Sequence, residues 1–336
     1  MKVVYIGQHS LGTTSYMRCE TLKSLLKAST FEIIDTHTPF FKTHKFWRSL
    51  GFRYKKGPLI KKVNNHVLKE VQQAHYDLIW VDKAIYITPQ TTEWLKARAS
   101  KLVHFTPDPA FTFHQSQHFF KSLPYYDVVV TTKSYEIEQY KKATGAKVLY
   151  ATQGFDTSLH QPSKASFSQK KGLVFIGHHE DEREEVLKQL LAKNIPLTLA
   201  GIKWKTFAEK HKTNNKLSYL GDGVYGQDYV RTLQSAKIAW GAISKWVPEL
   251  HTTRTFEIPA CGTALLTECN SETEQFFTSE EAIFYKNTSE LVDCVRYYME
   301  DVNALKTLTE KGTAAVHNKG FDYESILMGL LKQILN

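Results

Sequence analysis

Short apolar runs alternate along this chain with longer segments that have helical periodicity. Most of the runs are four to six residues long, and the segments between them place apolar residues three and four positions apart, for example over 15–26 and 63–74. Strands that alternate with helices favour parallel sheets built from βαβ units, which is the α/β fold class. The predicted strands are 3–6, 31–34, 78–81, 102–105, 128–131, 148–151, 173–176, 197–200, 217–220, 238–243, 264–267 and 282–285.

Two of these runs resemble each other, which predicts two domains. Residues 3–7 read VVYIG and residues 173–177 read LVFIG, and each run is followed by polar residues and a helical pattern. This is typical of the first strand and first turn of a doubly wound, Rossmann-like domain. We therefore predict an N-terminal domain, a polar linker, a C-terminal domain and a last amphipathic helix, which the family resemblance given below implies to pack back on the first domain. The predicted bounds are 1–155, 156–171, 172–320 and 321–336.

The composition is that of a globular protein. Of the 336 residues, 42% are hydrophobic and 23% are charged, which excludes a disordered chain. The four cysteines form no C-x-x-C pair, so we expect reduced thiols in a cytoplasmic protein. No apolar run approaches the roughly 20 residues of a membrane span, and we expect no signal peptide. The cysteines are Cys19, Cys261, Cys269 and Cys294.

The net charge of +9 is concentrated in one segment. No acidic residue lies between Asp35 and Glu70, and aromatic residues are interleaved with the cations there. Three partners suit such a segment, namely nucleic acid, an anionic membrane or an anionic acceptor, and a solvated basic face is the simplest alternative. We favour a lipid-facing loop. The cations are Lys42, Lys45, Arg48, Arg53, Lys55, Lys56, Lys61, Lys62 and Lys69, and the aromatics are Phe40, Phe41, Phe46, Trp47, Phe52 and Tyr54.

The most informative chemistry lies in residues 249–268. Their order predicts a loop, a short helix opening at Thr252 or Thr253, a Gly stop and a buried strand. A helix N-terminus beside a guanidinium favours an anion, whereas carboxylates suit the hydroxyl groups of a sugar. A solvated helix face is the alternative for the two carboxylates. The segment supplies Glu249, Thr252, Thr253, Arg254 and Glu257.

At these residues the chain resembles a known family. Glu249-x7-Glu257 resembles the paired-glutamate motif of retaining glycosyltransferases with the GT-B fold, and the surrounding residues resemble its spore-maturation-protein (CgeB-like) branch. The wider group often has a Gly-containing turn after the first Glu, where this chain has Leu250-His251. The segments that carry the resemblance are RTFE at 254–257, ACG at 260–262, WVDK at 80–83, TPDP at 106–109, YD at 126–127 and QGFD at 153–156.

The resemblance implies a fold, an activity and roles for residues. The fold is two Rossmann-like domains with ligands bound in the cleft between them. The activity is transfer of a sugar from a UDP-, GDP- or dTDP-sugar, with retention of anomeric configuration. Glu257 is implied to bind the ribose diol of the nucleotide, and Glu249 the hydroxyls of the donor sugar.

Four further candidates come from the first half of the chain. Gly7 and Gly12 bound a turn that permits close approach of a phosphate or a sugar, although the full G-x-G-x-x-G fingerprint is absent. Asp108 lies between two prolines after a predicted strand. Its side chain is either a catalytic carboxylate or that of a turn-forming residue. His104 lies inside that strand, as a catalytic base or a packed core residue.

The second half supplies candidates for binding the nucleotide. Gly177, His178 and Arg183 follow the first strand of the second domain and suit a diphosphate. Gly221 and Asp222 begin a turn that suits either the base or no ligand. We expect no obligatory metal, because no D-x-D motif lies at the end of a predicted strand. His114 and His118 have helical spacing, but no third ligand is near them in sequence.

The sequence therefore predicts a glycosyltransferase whose acceptor is a surface polysaccharide, a glycolipid or a protein. A nucleotide-sugar epimerase of the same fold and a non-catalytic scaffold are the alternatives. We expect a nucleotide sugar as substrate, no tightly bound cofactor and no nucleic acid partner. Peripheral contact with an anionic membrane is expected from the basic segment.

Overall fold

The computed structural model describes residues 1–112 and 115–336. These residues form two compact units. The first unit comprises Met1–Thr152 and Tyr323–Asn336, and the second comprises Gln153–Asp322. None of the helices in the described ranges combines the length and the apolar character that crossing a bilayer requires.

The first unit contains a six-stranded parallel sheet in the order β2-β1-β3-β4-β5-β6. Its strands are β1 Lys2–Gly7, β2 Thr30–Asp35, β3 Tyr76–Asp82, β4 Ala99–Thr106, β5 Val128–Thr131 and β6 Lys147–Tyr150. Its first helices are α1 Thr14–Leu26, α2 His37–Phe41, α3 Lys45–Tyr54, α4 Pro58–Glu70, α5 Pro89–Lys96, α6 Gln117–Ser122 and α7 Ile137–Ala143.

The second unit contains another six-stranded parallel sheet, in the order β12-β11-β10-β7-β8-β9. Its strands are β7 Leu173–Ile176, β8 Leu197–Ala200, β9 Leu217–Tyr219, β10 Ile238–Trp240, β11 Ala264–Glu268 and β12 Ile283–Tyr285. Its helices are α8 Asp181–Ala192, α9 Lys205–Lys210, α10 Gly226–Ser235, α11 Arg254–Ala260, α12 Thr273–Phe276, α13 Thr288–Glu300 and α14 Val302–Asn318. The chain then returns to the first unit as α15 Tyr323–Leu335.

The twelve predicted strands are the twelve strands of the two sheets, and the α/β fold class is confirmed. Their apolar runs predict buried strands because strands of a parallel sheet are covered on both faces. Five of the six residues of β1 are buried, as are six of the seven of β3. In the second unit, β7 and β10 lie side by side in the middle of the sheet.

A buried ion pair joins α1 to β3 inside the first unit. Nε and Nη2 of Arg18 donate to the two carboxylate oxygens of Asp82 at 2.8 and 3.0 Å. Both side chains are 1% exposed. The guanidinium also lies over the ring of Tyr323, so the pair contacts the first residue of α15. Breaking such a pair from one side leaves a buried charge without its partner.

The basic segment is helical, and the prediction that it forms a loop is wrong. Its residues form most of α2, α3 and α4. The imidazole of His44 accepts the N–H of Phe46 at the start of α3, and Pro58 occupies the first turn of α4. Helix α4 buries Leu59, Val63 and Val67, which are spaced four residues apart, and the buried Gly51 of α3 packs against Leu59.

The residues of the predicted linker pack against the second unit. Within 156–171, His160 is 1% exposed and Lys170 is 8% exposed. Phe155, just before this segment, is fully buried and contacts the ring of His317. Although residues 156–171 are mostly polar, they therefore do not form a fully exposed, extended linker.

Candidate functional site

The strand order of the second sheet defines where a ligand is expected. From β7 the chain adds β8 and β9 on one side of the sheet, and it then returns to add β10, β11 and β12 on the other side, as in a Rossmann sheet. The strand order therefore reverses between β7 and β10. Ligands of open α/β sheets bind beyond the carboxyl ends of the strands at such a switch point. The segments that leave β7 and β10 there contain Gly177 and His178, and residues 241–253.

Glu180 organises the segment after β7. The carboxylate is 1% exposed, and its Oε1 lies 2.9 Å from Nη2 of Arg183 and 2.8 Å from Nε2 of His178. It also accepts hydrogen bonds from the hydroxyl of Ser244 and the N–H of Lys245, which follow β10. Glu180 therefore bridges the two loops of the switch point.

Positive charge is crowded at this place. The pKa of Arg183 is lowered to about 10, mainly by burial and also by the neighbouring Arg254, against the opposing effect of Glu180. Burial and the charge of Arg183 also lower the pKa of His178. The two arginines therefore lie within electrostatic reach of each other, although they are 71 positions apart in sequence.

The loop after β10 carries the residues around the paired glutamates. Helix α11 begins at Arg254, one or two residues later than predicted, and the N–H of Thr252 is capped by the hydroxyl of Thr255. Thr253 is the residue before the helix, and its side chain makes no capping hydrogen bond. Arg254 donates from Nη2 to the carbonyl of Ala242, 3.1 Å away, which ties the helix start to the end of β10.

Three buried polar atoms near this helix start have no hydrogen-bond partner among the described residues. They are Nε of Arg183, Oγ1 of Thr252 and Nε of Arg254. Buried polar atoms are nearly always paired, so each unpaired one calls for an explanation such as a ligand. Two guanidinium groups and a hydroxyl can together bind an anion with several oxygen atoms.

The two glutamates have different surroundings. Glu257 is 6% exposed, and its Oε2 accepts the hydroxyl of Tyr229 at 2.7 Å. Nε2 of His160 lies 3.8 Å from its Oε1. Glu249 is only half-buried, and its charge raises the pKa of Arg183. Glu257 is therefore fixed by neighbours, whereas Glu249 belongs to the charged group at the switch point.

His251 fixes the loop that carries Glu249. Its Nε2 accepts the N–H of Gln153 at 3.0 Å, so the proton is on Nδ1, which contacts Oε2 of Glu272 at 2.5 Å. The side-chain amide of Asn270 also donates to the carbonyl of Leu250. Leu250-His251 is the position at which this chain differs from the wider family group, and hydrogen bonds fix both residues.

Gly221 and Asp222 lie after β9, at the edge of the sheet. The carbonyl of Gly221 accepts the N–H of Gly201, and Asp222 accepts the hydroxyl of Tyr219. Next to them, a groove of about 660 Å³ lies between the edge strands and α10. It is lined by Thr198, Ser218, Leu220, Gly223, Val224, Tyr225, Asp228, Arg231, Thr232 and Ser235, and the arginines of the switch point do not line it.

In the first unit, Gly7 and Gly12 lie beside the switch point between β1 and β3. A Cβ at Gly7 would come within 2.9 Å of Cβ of Asp82, and Gly12 has a φ of +82°, which favours glycine. Helix α1 begins directly after this turn and is capped by the hydroxyl of Thr13. The turn therefore requires both glycines for its conformation.

Asp108 and His104 have unequal positions. Asp108 is partly exposed and forms an ion pair with Lys83, which follows β3. His104 is 2% exposed, and it lies between the rings of Phe119 and Tyr126. Burial lowers the pKa of His104 to about 3, and its Nε2 accepts the N–H of Ala84. These contacts favour the core role that the sequence left open for His104.

One group in the described residues has the spacing of a metal site, which the sequence analysis did not predict. The ligand atoms of His9, Cys19 and Glu20 lie within 4.8 Å of one another. Cys19 is fully buried, however, and burial raises the pKa of its thiol well above the usual range. A thiol that stays protonated is a poor ligand. The sequence shows no third metal ligand near His114 and His118, and His114 lies outside the described residues.

Comparison with known proteins supports a glycosyltransferase. Residues 182–332 match the family model described as "Glycosyl transferase-like". The search of curated proteins found no match to this chain.

Solved structures match over nearly the whole chain. HepE of Anabaena in complex with UDP-glucose is 14% identical, with a TM-score of 0.66 and 99% of both chains covered. Sucrose-phosphate synthase of Thermosynechococcus elongatus is 12% identical, with a TM-score of 0.69 over 99% of this chain and 98% of that one. Trehalose-6-phosphate synthase of Burkholderia multivorans is 10% identical, with a TM-score of 0.67 and the same coverage. These matches and the two parallel sheets confirm the predicted GT-B type of fold.

Proposed function

We propose that the second unit binds a nucleotide sugar and that the chain transfers its sugar to an acceptor. The observation that carries the proposal is the pair of guanidinium groups of Arg183 and Arg254 at the β7–β10 switch point, each with a buried Nε that has no partner among the described residues. A diphosphate has the charge and the number of oxygen atoms that such a pair binds. The family match over residues 182–332 supports the same conclusion.

The proposed chemistry places most of the catalytic effect on the leaving group. Negative charge develops on the diphosphate as the bond to the sugar breaks, and preorganised cations and donors stabilise it. Arg183, Arg254 and the hydroxyl of Thr252 supply these groups. Because burial restricts Arg183 and the hydrogen bond to Ala242 restricts Arg254, little reorganisation is needed during the reaction.

The two carboxylates are assigned different parts of the donor. Glu257 is assigned the ribose diol, because it is buried and oriented by Tyr229. Glu249 is assigned hydroxyls of the donor sugar, because it lies near Arg183, to which we assign the diphosphate. We propose reaction on one face of the sugar with retention, in which the leaving phosphate helps to deprotonate the acceptor and no enzymic nucleophile is required.

The finer assignments concern the donor and its base. We propose a UDP-, GDP- or dTDP-sugar, and UDP is the first to test because HepE was crystallised with UDP and with UDP-glucose. Gly177 and His178 are assigned the diphosphate side. Gly221 and Asp222, beside the groove at β9, are assigned the base. We propose no obligatory metal and no tightly bound cofactor.

The acceptor is assigned to the first unit. Gly7, Gly12 and Asp108 follow strands β1 and β4 of that sheet, and Lys83 pairs with Asp108 after the intervening β3. We propose a surface polysaccharide, a glycolipid or a protein as acceptor, a CgeB-like family membership, and a cytoplasmic location with peripheral membrane contact. His104 has no role in this proposal.

A thermal-shift screen against UDP-, GDP- and dTDP-sugars tests the proposal. A ligand that binds only the native state stabilises it by about 2.7 kcal/mol at a hundredfold excess over its dissociation constant. We expect one nucleotide class to raise the melting temperature, and the Arg183→Gln variant to lose most of that rise. Lys188→Gln, on the exposed part of the same helix, is the matched control.

Product analysis with the stabilising donor then separates the alternatives. Transfer to an acceptor with release of the nucleoside diphosphate supports a transferase. A change in the sugar without an acceptor indicates an epimerase. Binding without any turnover indicates a scaffold, and binding of none of the donors contradicts the proposal.

A further inference from the structure

Helix α3 carries an apolar stripe on its exposed face. Phe46, Leu50 and Tyr54 are spaced four residues apart and therefore lie along one side of the helix, with Trp47 beside them. Phe46 is 60% exposed, Trp47 is 42% exposed and Tyr54 is 56% exposed, while Leu50 between them is half-buried. Side chains of this size are normally covered, so the stripe is a surface suited to an apolar partner.

The opposite face of α3 fixes the helix to the first unit. Gly51 is buried, and a Cβ at this position would come within 2.7 Å of the side chain of Leu59 on α4. The guanidinium of Arg48 lies over the ring of Phe40, 5.4 Å from its centroid. Because the rings of Phe46, Trp47 and Tyr54 are largely exposed, these three side chains are not needed to hold α3 in place.

Cations surround this stripe. The segment from 36 to 69 contains no acidic residue, and within the described part of the chain none of its lysines or arginines lies in an ion pair with a carboxylate. Two more aromatic rings, Phe41 and Phe52, are 59% and 50% exposed beside them. The exposed cations are Lys42, Lys45, Arg53, Lys56, Lys61, Lys62 and Lys69.

We propose that α3 and its neighbours dock on an anionic lipid surface. Aromatic side chains favour the interface between lipid and water, and a short amphipathic helix lies in that interface with its apolar face inserted. The surrounding cations are attracted by anionic headgroups, each by an amount that alone gives roughly a fivefold change in partitioning. A nucleic acid would be attracted by the same cations, but it offers no apolar phase to a Phe–Leu–Tyr stripe.

The docking surface lies in the first unit, away in sequence from the residues assigned to the donor. It therefore does not depend on the proposed transferase activity. Lipid docking would keep the first unit, to which we assign the acceptor, at a membrane. An acceptor carried on a lipid would then be met at high local concentration.

Vesicle flotation of the full chain tests the proposal. We expect binding to vesicles of phosphatidylcholine with phosphatidylserine at low salt, and much less binding to phosphatidylcholine alone or at high salt. Equal absence of binding to both vesicles at low salt overturns the proposal. Binding to neither vesicle together with salt-sensitive binding to random DNA indicates a nucleic acid surface instead.

Two variants separate charge from insertion. Lys42→Gln/Lys45→Gln/Arg53→Gln should lower partitioning by at least about tenfold. Phe46→Ala/Trp47→Ala should lower it at high salt as well as at low salt, because insertion is not screened. Binding that is unchanged in the aromatic variant contradicts insertion of the stripe.

Matched controls alter exposed residues elsewhere. Lys205→Gln/Lys210→Gln/Lys212→Gln removes the same charge from the second unit, and Tyr297→Ala removes a side chain that is 56% exposed on α13. Both control variants should bind vesicles as the unaltered chain does. If the lysine control loses as much binding as the α3 variant, net charge rather than this surface is responsible.

The fluorescence of Trp47 reports its position directly. We expect lipids with brominated acyl chains to quench part of the tryptophan emission, and this part should be lost in Trp47→Phe. Phenylalanine keeps the apolar character, so flotation of that variant should be unchanged. Quenching that persists in Trp47→Phe would assign the contact to another tryptophan and contradict the proposal.

Discussion

The hydroxyl of Tyr229 donates a hydrogen bond of 2.7 Å to Oε2 of Glu257, from α10 to α11. Burial raises the pKa of Tyr229 well above its usual range, and the charge of Glu257 raises it further, so the hydroxyl remains the donor. The carboxylate is therefore oriented by the protein before any ligand arrives. Preorganisation of this kind lowers the entropy lost on binding.

Replacement of Tyr229 by Phe tests this orientation. The change leaves a buried carboxylate oxygen without its donor, which costs on the order of 1–3 kcal/mol of unfolding free energy. We also expect the affinity for the nucleoside diphosphate to fall, but by less than in Glu257→Ala. Urea denaturation and calorimetry measure the two effects. Unchanged stability and affinity would show that the hydrogen bond has no importance in solution.

Variants of the two glutamates should separate nucleotide binding from sugar transfer. Glu257→Ala should weaken binding of the free nucleoside diphosphate, because the ribose loses its acceptor. Glu249→Ala should impair transfer more than it impairs that binding, since its partner is the sugar. Calorimetry and turnover measurements on both variants provide the comparison, with each variant as the control for the other. An unchanged affinity in Glu257→Ala would remove the ribose assignment.

The sequence predicted the fold because buried parallel strands have a simple pattern. Apolar runs such as 78–81 and 264–267 stand out from amphipathic helices, and all twelve were assigned. The basic segment was predicted wrongly as a loop. Most aromatic residues of α3 are exposed and only Gly51 of this helix is buried, so its apolar residues do not mark a face that packs on a core.

The site was predicted only where its residues are close in sequence. Arg254 and Glu257 belong to one motif, whereas Tyr229 and His160 reach Glu257 from other parts of the chain. No local pattern marks a tyrosine in an ordinary amphipathic helix as a partner of a distant carboxylate. Glu180 was similarly missed as a bridging residue, because its contact with Ser244 depends on β7 and β10 being neighbours.

Arg254→Lys should lower turnover although the charge is kept. A guanidinium binds two phosphate oxygens at once while its Nη2 also donates to Ala242, and an ammonium group lacks this planar geometry. We expect a loss of about 2 kcal/mol in transition-state stabilisation, which is on the order of thirtyfold in turnover. Steady-state kinetics checks this, and Arg296→Lys, at an exposed position on α13, provides the control. Wild-type kinetics would assign Arg254 to packing.

Lys170 should make stability depend on pH. Burial lowers its pKa from 10.5 to about 8, while its Nζ donates to the carbonyl of Gln234. Because the folded-state pKa lies below the unfolded-state value, the unfolded chain binds more protons in this range. Stability from this group therefore rises between about pH 8 and pH 10.5, by on the order of 3 kcal/mol.

The Lys170→Met variant isolates that contribution. Relative to the variant, the unaltered chain should gain unfolding free energy as the pH rises from neutral to about 10. Urea denaturation at several pH values measures the difference, so that other titrating groups cancel. A difference that stays constant with pH would show that Lys170 is charged and solvated in the folded protein.

The claim that Arg183 and Arg254 bind a diphosphate is tested most directly by calorimetry with matched ligands. The nucleoside diphosphate of the stabilising donor is compared with the nucleoside that lacks both phosphates, on the unaltered chain and on Arg254→Gln. We predict that the diphosphate binds at least about tenfold more tightly than the nucleoside, and that Arg254→Gln loses most of this advantage. Equal affinities for the two ligands, or an advantage that Arg254→Gln keeps in full, would contradict the assignment.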